Sequence, residues 1–251
     1  MIFGSFLSKL KKVELEDAEG NNFQLKNNFI SKIGFKVIGI PHLGIRMRAK
    51  MIFEALKGIN KKVEILDAGC GYGIFSIALK EKGYHVTPVD ISNRRIYSLK
   101  KEGFTNVGLM DVSNLEFMDN TFDVIICTEV IEHIDDWKKA LIELKRVLKK
   151  EGLLILTAPY MSNFNKKHYK EYGHSTPGYT TEEIIKETGM NLIEEKKYVS
   201  PLFEYMFKIN KKLYKHNILL GLLFYPLYFI TLLEGLIKFK EYNGLFLVLR
   251  K

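Results

Sequence analysis

Three glycines at alternate positions, Gly69, Gly71 and Gly73, stand between an apolar run and a helical pattern. The run contains Val63, Ile65 and Leu66 and reads as a buried strand, while residues 74–79 read as a helix. A strand that turns through glycines into a helix is a ligand-binding corner. The missing β-carbons let a ligand approach the backbone, and the first helical N–H groups have no partner within the helix. A dinucleotide fingerprint starting at Gly69 would need a third glycine at position 74, which is Ile74. Asp67, at the strand end, would also face a pyrophosphate. A carboxylate there suits a ligand with a cationic group better than one with phosphates.

The downstream pattern repeats the same layout. Residues 84–89 read as a second strand ending in Asp90, which lies 21 residues beyond Gly69 and is placed to accept from ribose hydroxyls. Residues 106–110 read as a third strand before Asp111 and Val112, and residues 122–127 as a fourth, running into Thr128-Glu129-Val130-Ile131-Glu132-His133. A helix is expected over 137–150, ended by Glu151-Gly152, then a strand over 153–157. Thr180 to Glu183 reads as a helix start, and residues 243–249 as a last strand. Strands alternating with helices predict a parallel, doubly wound sheet with its ligand at the C-terminal strand ends, where Asp67, Asp90, Asp111 and Glu129 all fall.

This series of motifs resembles the class I S-adenosylmethionine (SAM)-dependent methyltransferases, whose first motif has the form acid-x-Gly-x-Gly-x-Gly. The Phe122-Asp123-Val124 strand followed by Glu129-x-x-Glu132-His133 resembles the small-molecule branch that includes ubiquinone and menaquinone biosynthesis methyltransferases. SAM carries an ammonium and a sulfonium and no phosphate, in keeping with Asp67. The resemblance implies a mostly parallel, seven-stranded Rossmann-like α/β sheet. It also implies donor contacts from Asp67, Gly69, Cys70, Gly71, Gly73, Asp90, Ile91, Asp111, Val112 and Glu129, and a small-molecule or lipid-linked acceptor. His133 is the candidate general base. His42 and Arg46, with Arg48, on the helix expected before the first strand, could reach substrate, as could His168, Tyr172 and His174 in an aromatic loop over 160–179. No His/carboxylate spacing in the sequence calls for a metal.

Length suits a single domain over 1–251, with an N-terminal extension at 1–45 and a helical insertion at 201–240. Within 216–237 the apolar run Ile218–Leu233 is interrupted by Pro226 and is shorter than a spanning helix needs, so a peripheral membrane contact, an active-site cap or a dimer contact are the readings the stretch supports. Residues 1–12 carry an apolar helical face that would serve the same contact. The net charge of +9 comes largely from scattered Lys and decides nothing alone; nucleic acid is not expected because the Asn/Asp-Pro-Pro-Tyr/Phe pattern of nucleic-acid methyltransferases and a separate recognition domain are missing. Cys70 and Cys127 fall in core elements, which fits a reduced, cytoplasmic setting, at the inner membrane face if the contact forms. A nicotinamide oxidoreductase or epimerase is the rival enzyme. Its Tyr-x-x-x-Lys pattern occurs at Tyr97 to Lys101, but on the wrong helix. A non-catalytic membrane-surface module would show a damaged donor site.

Overall fold

A computed structural model of the protein describes residues 43–200 and 239–251, with the short antiparallel pair Leu15–Glu16 and Asn22–Phe23. Its centre is a seven-stranded sheet: β1 Glu64–Ala68, β2 His85–Asp90, β3 Gly108–Leu109, β4 Phe122–Thr128, β5 Leu148–Pro159, β6 Asn191–Tyr198 and β7 Gly244–Arg250. The spatial order is β3-β2-β1-β4-β5-β7-β6, parallel except for β7, which runs against both of its neighbours. The helices are α1 Leu43–Ala55, α2 Ile74–Glu81, α3 Asn93–Lys101, α4 Trp137–Val147, α5 Asn163–His168 and α6 Thr181–Thr188.

Strand periodicity sorts the core into two layers. Leu66, Ala68, Ile125, Cys127, Leu154 and Leu156 point to one face, against Ala140, Leu141 and Leu144 of α4 and Ile184 of α6. Ile65, Val124, Ile126 and Ile155 point to the other, against Met51, Ile52 and Leu56 of α1 and Phe75 and Leu79 of α2. Burial on both faces is why the central strands read as nearly continuous apolar runs. The order reverses between β1 and β4, where Asp67 pairs with Pro88 on one side and Ile126 on the other. That switch point opens a crevice beyond the strand ends.

Several boundaries differ from expectation. The helix expected to reach residue 150 ends at Val147, and Leu148 already pairs with Phe122 in the sheet. The chain bulges before Leu153 meets Val124, with Glu151 in the left-handed region at φ 60. Gly152 therefore belongs to a bulge, where a β-carbon would sit 2.9 Å from the Asp123 carbonyl oxygen, and it does not end a helix. The expected loop over 160–179 holds α5 and a 3₁₀ turn, Tyr169–Tyr172, because Ser162 caps α5 by accepting from the Asn165 N–H. The start of α6 forms the expected capping box between Thr180 and Glu183. β6 is an edge strand protected by the charges of Glu194, Glu195, Lys196 and Lys197.

The glycines of the turn differ in what they tolerate. A β-carbon on Gly69 would lie 2.4 Å from Val130 Cγ2, at φ +71, whereas one on Gly71 would meet nothing within 4 Å, at φ +56. Gly71→Ala should therefore cost only the left-handed backbone penalty of about 1–2 kcal/mol, a Tm loss of a few degrees at about 2–4 °C per kcal/mol. Gly69→Ala should lower Tm by at least about twice as much, since overpacking adds about 1–3 kcal/mol. Equal shifts in a thermal melt would contradict this account.

Candidate active site

The turn after β1 is fixed by its neighbour strand. The Gly69 and Cys70 N–H groups both donate to the Val89 carbonyl at 2.9 Å, and the Gly71 N–H donates to Asp90 Oδ2 at 2.9 Å. Asp90 Oδ1 accepts from the Ser92 N–H at 2.9 Å, and Arg95 Nη1 lies 3.4 Å from both oxygens. Asp90 thus clasps the end of β2 to the glycine turn. Its two backbone bonds are short, while the two contacts from Arg95 are long at 3.4 Å and are the ones a ligand hydroxyl could replace. Gly73, the N-cap of α2, offers no capping side chain to the first helical N–H groups, and the Leu99 side chain packs against its Cα.

Asp67 is 1% exposed. Ser76 Oγ donates to its Oδ2, while Oδ1 receives no hydrogen bond from the protein. Burial pushes this carboxyl up to about 6, the Ser76 hydrogen bond opposes the rise and the nearby Asp90 adds to it. The Cys70 thiol is raised as well, by burial and by these two acids, which leaves it unreactive. Ile91 beside Asp90 is 72% exposed, an apolar side chain in the open. Asp111 is exposed and accepts from the Ser113 N–H and hydroxyl at 2.8 and 2.9 Å, while Val112 is buried in the core next to Val89. An unsatisfied buried carboxylate oxygen, open space over Gly71 and the exposed Ile91 fit a donor that joins a cationic group to a nucleoside.

Glu129 follows β4 in the left-handed region, at φ 54, an uncommon conformation for a residue with a side chain. Its N–H donates to the Thr157 carbonyl at 3.0 Å. Its Oε1 accepts from Thr157 Oγ1 at 2.9 Å and from the Tyr198 hydroxyl at 3.2 Å, and Oε2 lies 3.5 Å from Arg48 Nη1. Burial works against the Arg48 charge, yet Glu129 and Tyr198 hold its pKa above the ordinary value. Burial, reinforced by Glu129, raises the Tyr198 hydroxyl.

A second cluster lies just beyond. Glu132 is 0% exposed and neither carboxylate oxygen has a hydrogen-bond partner. Burial first, then Glu129, raises its pKa well above the carboxylate range. His133 Nδ1 lies 3.2 Å from the Gly173 carbonyl oxygen, which can only accept, so Nδ1 carries the proton and Nε2 the lone pair. The His133 ring meets the His174 ring edge-on, with centroids 5.0 Å apart. Burial and then His133 lower His174 to about 4. The Tyr172 ring is 5.8 Å from that of His174.

The expected acids thus gather at one sheet edge, and His133, Tyr172 and His174 meet. His168 instead bonds Glu171 at 2.7 Å and stacks on Phe164, within its own helical turn. Arg46 lies in α1; His42 and the stretches 1–12 and 216–237 lie outside the described residues. Among the described residues no helix is long and apolar enough to cross a membrane. Ser76, Arg95, Thr157 and Tyr198 gave no sequence signal, because each acts through a partner distant in sequence or through helix geometry.

A protein-family model described as "Methyltransferase domain" matches residues 66–156, from β1 to β5. The ubiquinone biosynthesis O-methyltransferase of Rickettsia typhi is 27% identical over 227 residues, covering 81% of this chain and 89% of that protein. The protein of the same name in Rickettsia bellii is 30% identical over 171 residues, 65% of this chain and 67% of that protein. Phosphoethanolamine N-methyltransferase 2 from Haemonchus contortus, solved in complex with S-adenosyl-L-methionine, shares the fold with a TM-score of 0.60 at 22% identity, over 82% of this chain and 52% of that one. With the acidic glycine turn, the seven-stranded order and these relatives together, the chain belongs to the class I SAM-dependent methyltransferases and acts on a small-molecule acceptor with SAM as methyl donor.

Proposed function

We propose that the chain moves the SAM methyl group onto a hydroxyl of a small or lipid-linked acceptor, with His133 receiving the acceptor proton. The observation that carries this reading is the tautomer of His133: its Nδ1–H is spent on Gly173, so the Nε2 lone pair is the proton acceptor. The Rickettsia relatives, named as O-methyltransferases, support an oxygen acceptor.

SAM, when bound, supplies a methyl carbon activated by a sulfonium that departs as a neutral thioether. The protein's work is placement and charge. Asp90 receives the ribose hydroxyls in place of its long Arg95 contacts, Asp67 Oδ1 faces the ammonium, and Ile91 and Val112 flank the base, beside Asp111. Arg48, Thr157 and Tyr198 hold Glu129 toward the donor. The acceptor oxygen forms its bond to the methyl carbon as the carbon–sulfur bond breaks, and its proton passes to His133 Nε2. Holding both partners in line can supply about 7–11 kcal/mol of the barrier.

The lipid-linked form of the acceptor rests on topology. The ends of β6 and β5 and the start of β7 meet at the pairs Tyr198 with Gly244 and Pro159 with Gly244. The chain therefore leaves and re-enters the sheet at the same edge as the donor corner, and the apolar stretch 216–237 lies between those points. A peripheral contact of 216–237 and 1–12 with an anionic membrane would bring a lipid-linked acceptor to that edge.

Calorimetric titration should give one SAM site, weakened at least about tenfold by Asp90→Ala; unchanged affinity would remove Asp90 from the donor site. Asp67 sets a pH dependence. SAM's ammonium favours the carboxylate, so below the folded value of about 6 binding must expel a proton. Affinity should fall toward about tenfold per pH unit on the acid side and level off above it, and Asp67→Asn should flatten the profile. Flotation with anionic vesicles at low salt tests the membrane contact, which deletion of 216–237 should abolish; a wild-type protein that stays with the soluble fraction sinks that part.

A further inference from the structure

We propose that a polar cavity at the ends of β5 and β6 and the start of β7 is the subsite that holds an anionic group of the methyl acceptor, a carboxylate or a phosphate. The cavity has a volume of about 270 Å³. Tyr160 to Asn163, which follow β5, line it on one side, Lys197 of β6 on another, and Lys240 to Tyr242 lead past it into β7. It lies on the donor rim: Lys197 precedes Tyr198, whose hydroxyl bonds Glu129, and Tyr160 follows the end of β5.

The charged groups of this wall favour an anion. Lys197 Nζ donates to the Tyr160 hydroxyl at 3.1 Å and lies 4.3 Å from the centre of that ring, so the ammonium is held at the cavity rather than free in solvent. Its neighbour on the same strand, Glu195 Oε1, is 3.4 Å away, a long contact. Lys240 adds a second, exposed ammonium. Among the described lining residues the one carboxylate is Glu241, and it accepts from Asn163 Nδ2 within the wall. Two ammonium groups with a hydroxyl beside them suit a carboxylate or a phosphate, through charge-assisted hydrogen bonds. A cationic ligand would meet only Glu241.

A buried network fixes this wall before any ligand arrives. Ser162, 3% exposed, donates through Oγ to Asn243 Oδ1 at 2.8 Å and accepts there from the Asn165 N–H at 3.0 Å. Asn165 Nδ2 donates to the Tyr160 and Asn243 carbonyls at 2.7 and 2.8 Å, and the Tyr160 N–H donates to the Asn243 carbonyl at 2.7 Å. Asn243 Nδ2, in the same network, is buried with no hydrogen-bond partner, a donor the protein itself leaves over. The strand order centres the cavity on β7, two strands from β4. At a strand spacing of about 4.8 Å, roughly 10 Å of sheet edge separates it from Glu129. An acceptor anchored here by its acid group extends its reacting hydroxyl toward His133 and the donor. In taking the anion as part of the acceptor, this inference rests on the oxygen-acceptor reading above, and narrows it to hydroxyl compounds with an acidic group at the opposite end.

The test follows the backbone amide NMR signals of the full-length protein, saturated with S-adenosylhomocysteine, as inorganic phosphate or benzoate is added, with benzamide as the neutral control. The expected result is saturable shifts centred on Ser162, Asn163, Lys197 and Tyr242 with at least one anion and none with benzamide. The tighter of the two anions tells phosphate from carboxylate. Lys197→Met and Lys240→Met should each weaken that anion about tenfold, while the SAM affinity measured by calorimetry is unchanged. With a hydroxyphenyl acid of the preferred type as acceptor, Lys197→Met should raise KM about tenfold at an unchanged kcat. No saturable shift with either anion, in protein that binds SAM, would overturn the subsite, as would binding that both variants leave intact. An unchanged KM in Lys197→Met would overturn its assignment to the acceptor. Failure of the oxygen-acceptor reading shows elsewhere: anions bound as expected, but S-adenosylhomocysteine released with aminophenyl acids and not with hydroxyphenyl ones.

Discussion

Carboxylates withdrawn from water must be matched, and the C-terminal edge of this sheet holds Asp67, Asp90, Glu129 and Glu132 close together. Each is met differently. Asp90 takes backbone N–H groups, Glu129 takes a hydroxyl network and a guanidinium, Asp67 takes one serine hydroxyl, and Glu132 takes no hydrogen bond. The gradient from satisfied to unsatisfied runs from the parts that hold the fold to the parts left for chemistry. Asp90 and Glu129 stabilise the corner before any ligand arrives. Asp67 and Glu132 are incomplete alone, which is the property a binding site requires.

The same edge explains why so much was legible in the sequence. Central strands buried on both faces advertise themselves as apolar runs, and the glycine positions mark the turn directly. The acids could be placed because each follows its strand in sequence, so a local pattern sufficed. The third strand shrank to Gly108–Leu109, because its edge position leaves it only β2 to pair with. The misplaced end of α4 has a similar cause: the helical pattern continues through Lys149 and Lys150, but Phe122 offers Leu148 a sheet partner, and tertiary pairing overrides local propensity.

What stayed hidden depends on contacts between remote segments. Nothing near Glu129 in sequence announces Arg48 or Tyr198, which lie 81 residues before it and 69 after it. The pairing of His133 with His174 depends on the turn around Gly173 folding back onto Glu132, and the intervening helices give no hint of it. His168 and His174 looked equivalent as residues of one aromatic loop. The structure separates them by neighbourhood: one is occupied by Glu171 in its own turn, the other faces the cluster.

The reversed strand β7 has a wider meaning. Because it runs against β5 and β6, the connection from β6 begins and ends on the donor side, at Val199 and Asn243, which are themselves joined by the Asn243 N–H to Val199 carbonyl bond at 2.7 Å. Arg250, at the far end of the same strand, pairs with Leu153 and Asn191 on the opposite rim. With β7 parallel, that connection would have had to cross the molecule and emerge away from the chemistry. One reversal thus makes this connection an exchangeable cassette: sequence can be inserted between its two joined ends, on the donor rim, without disturbing β1, β2 or the glycine turn. Acceptor choice and donor chemistry can then diverge independently on one scaffold.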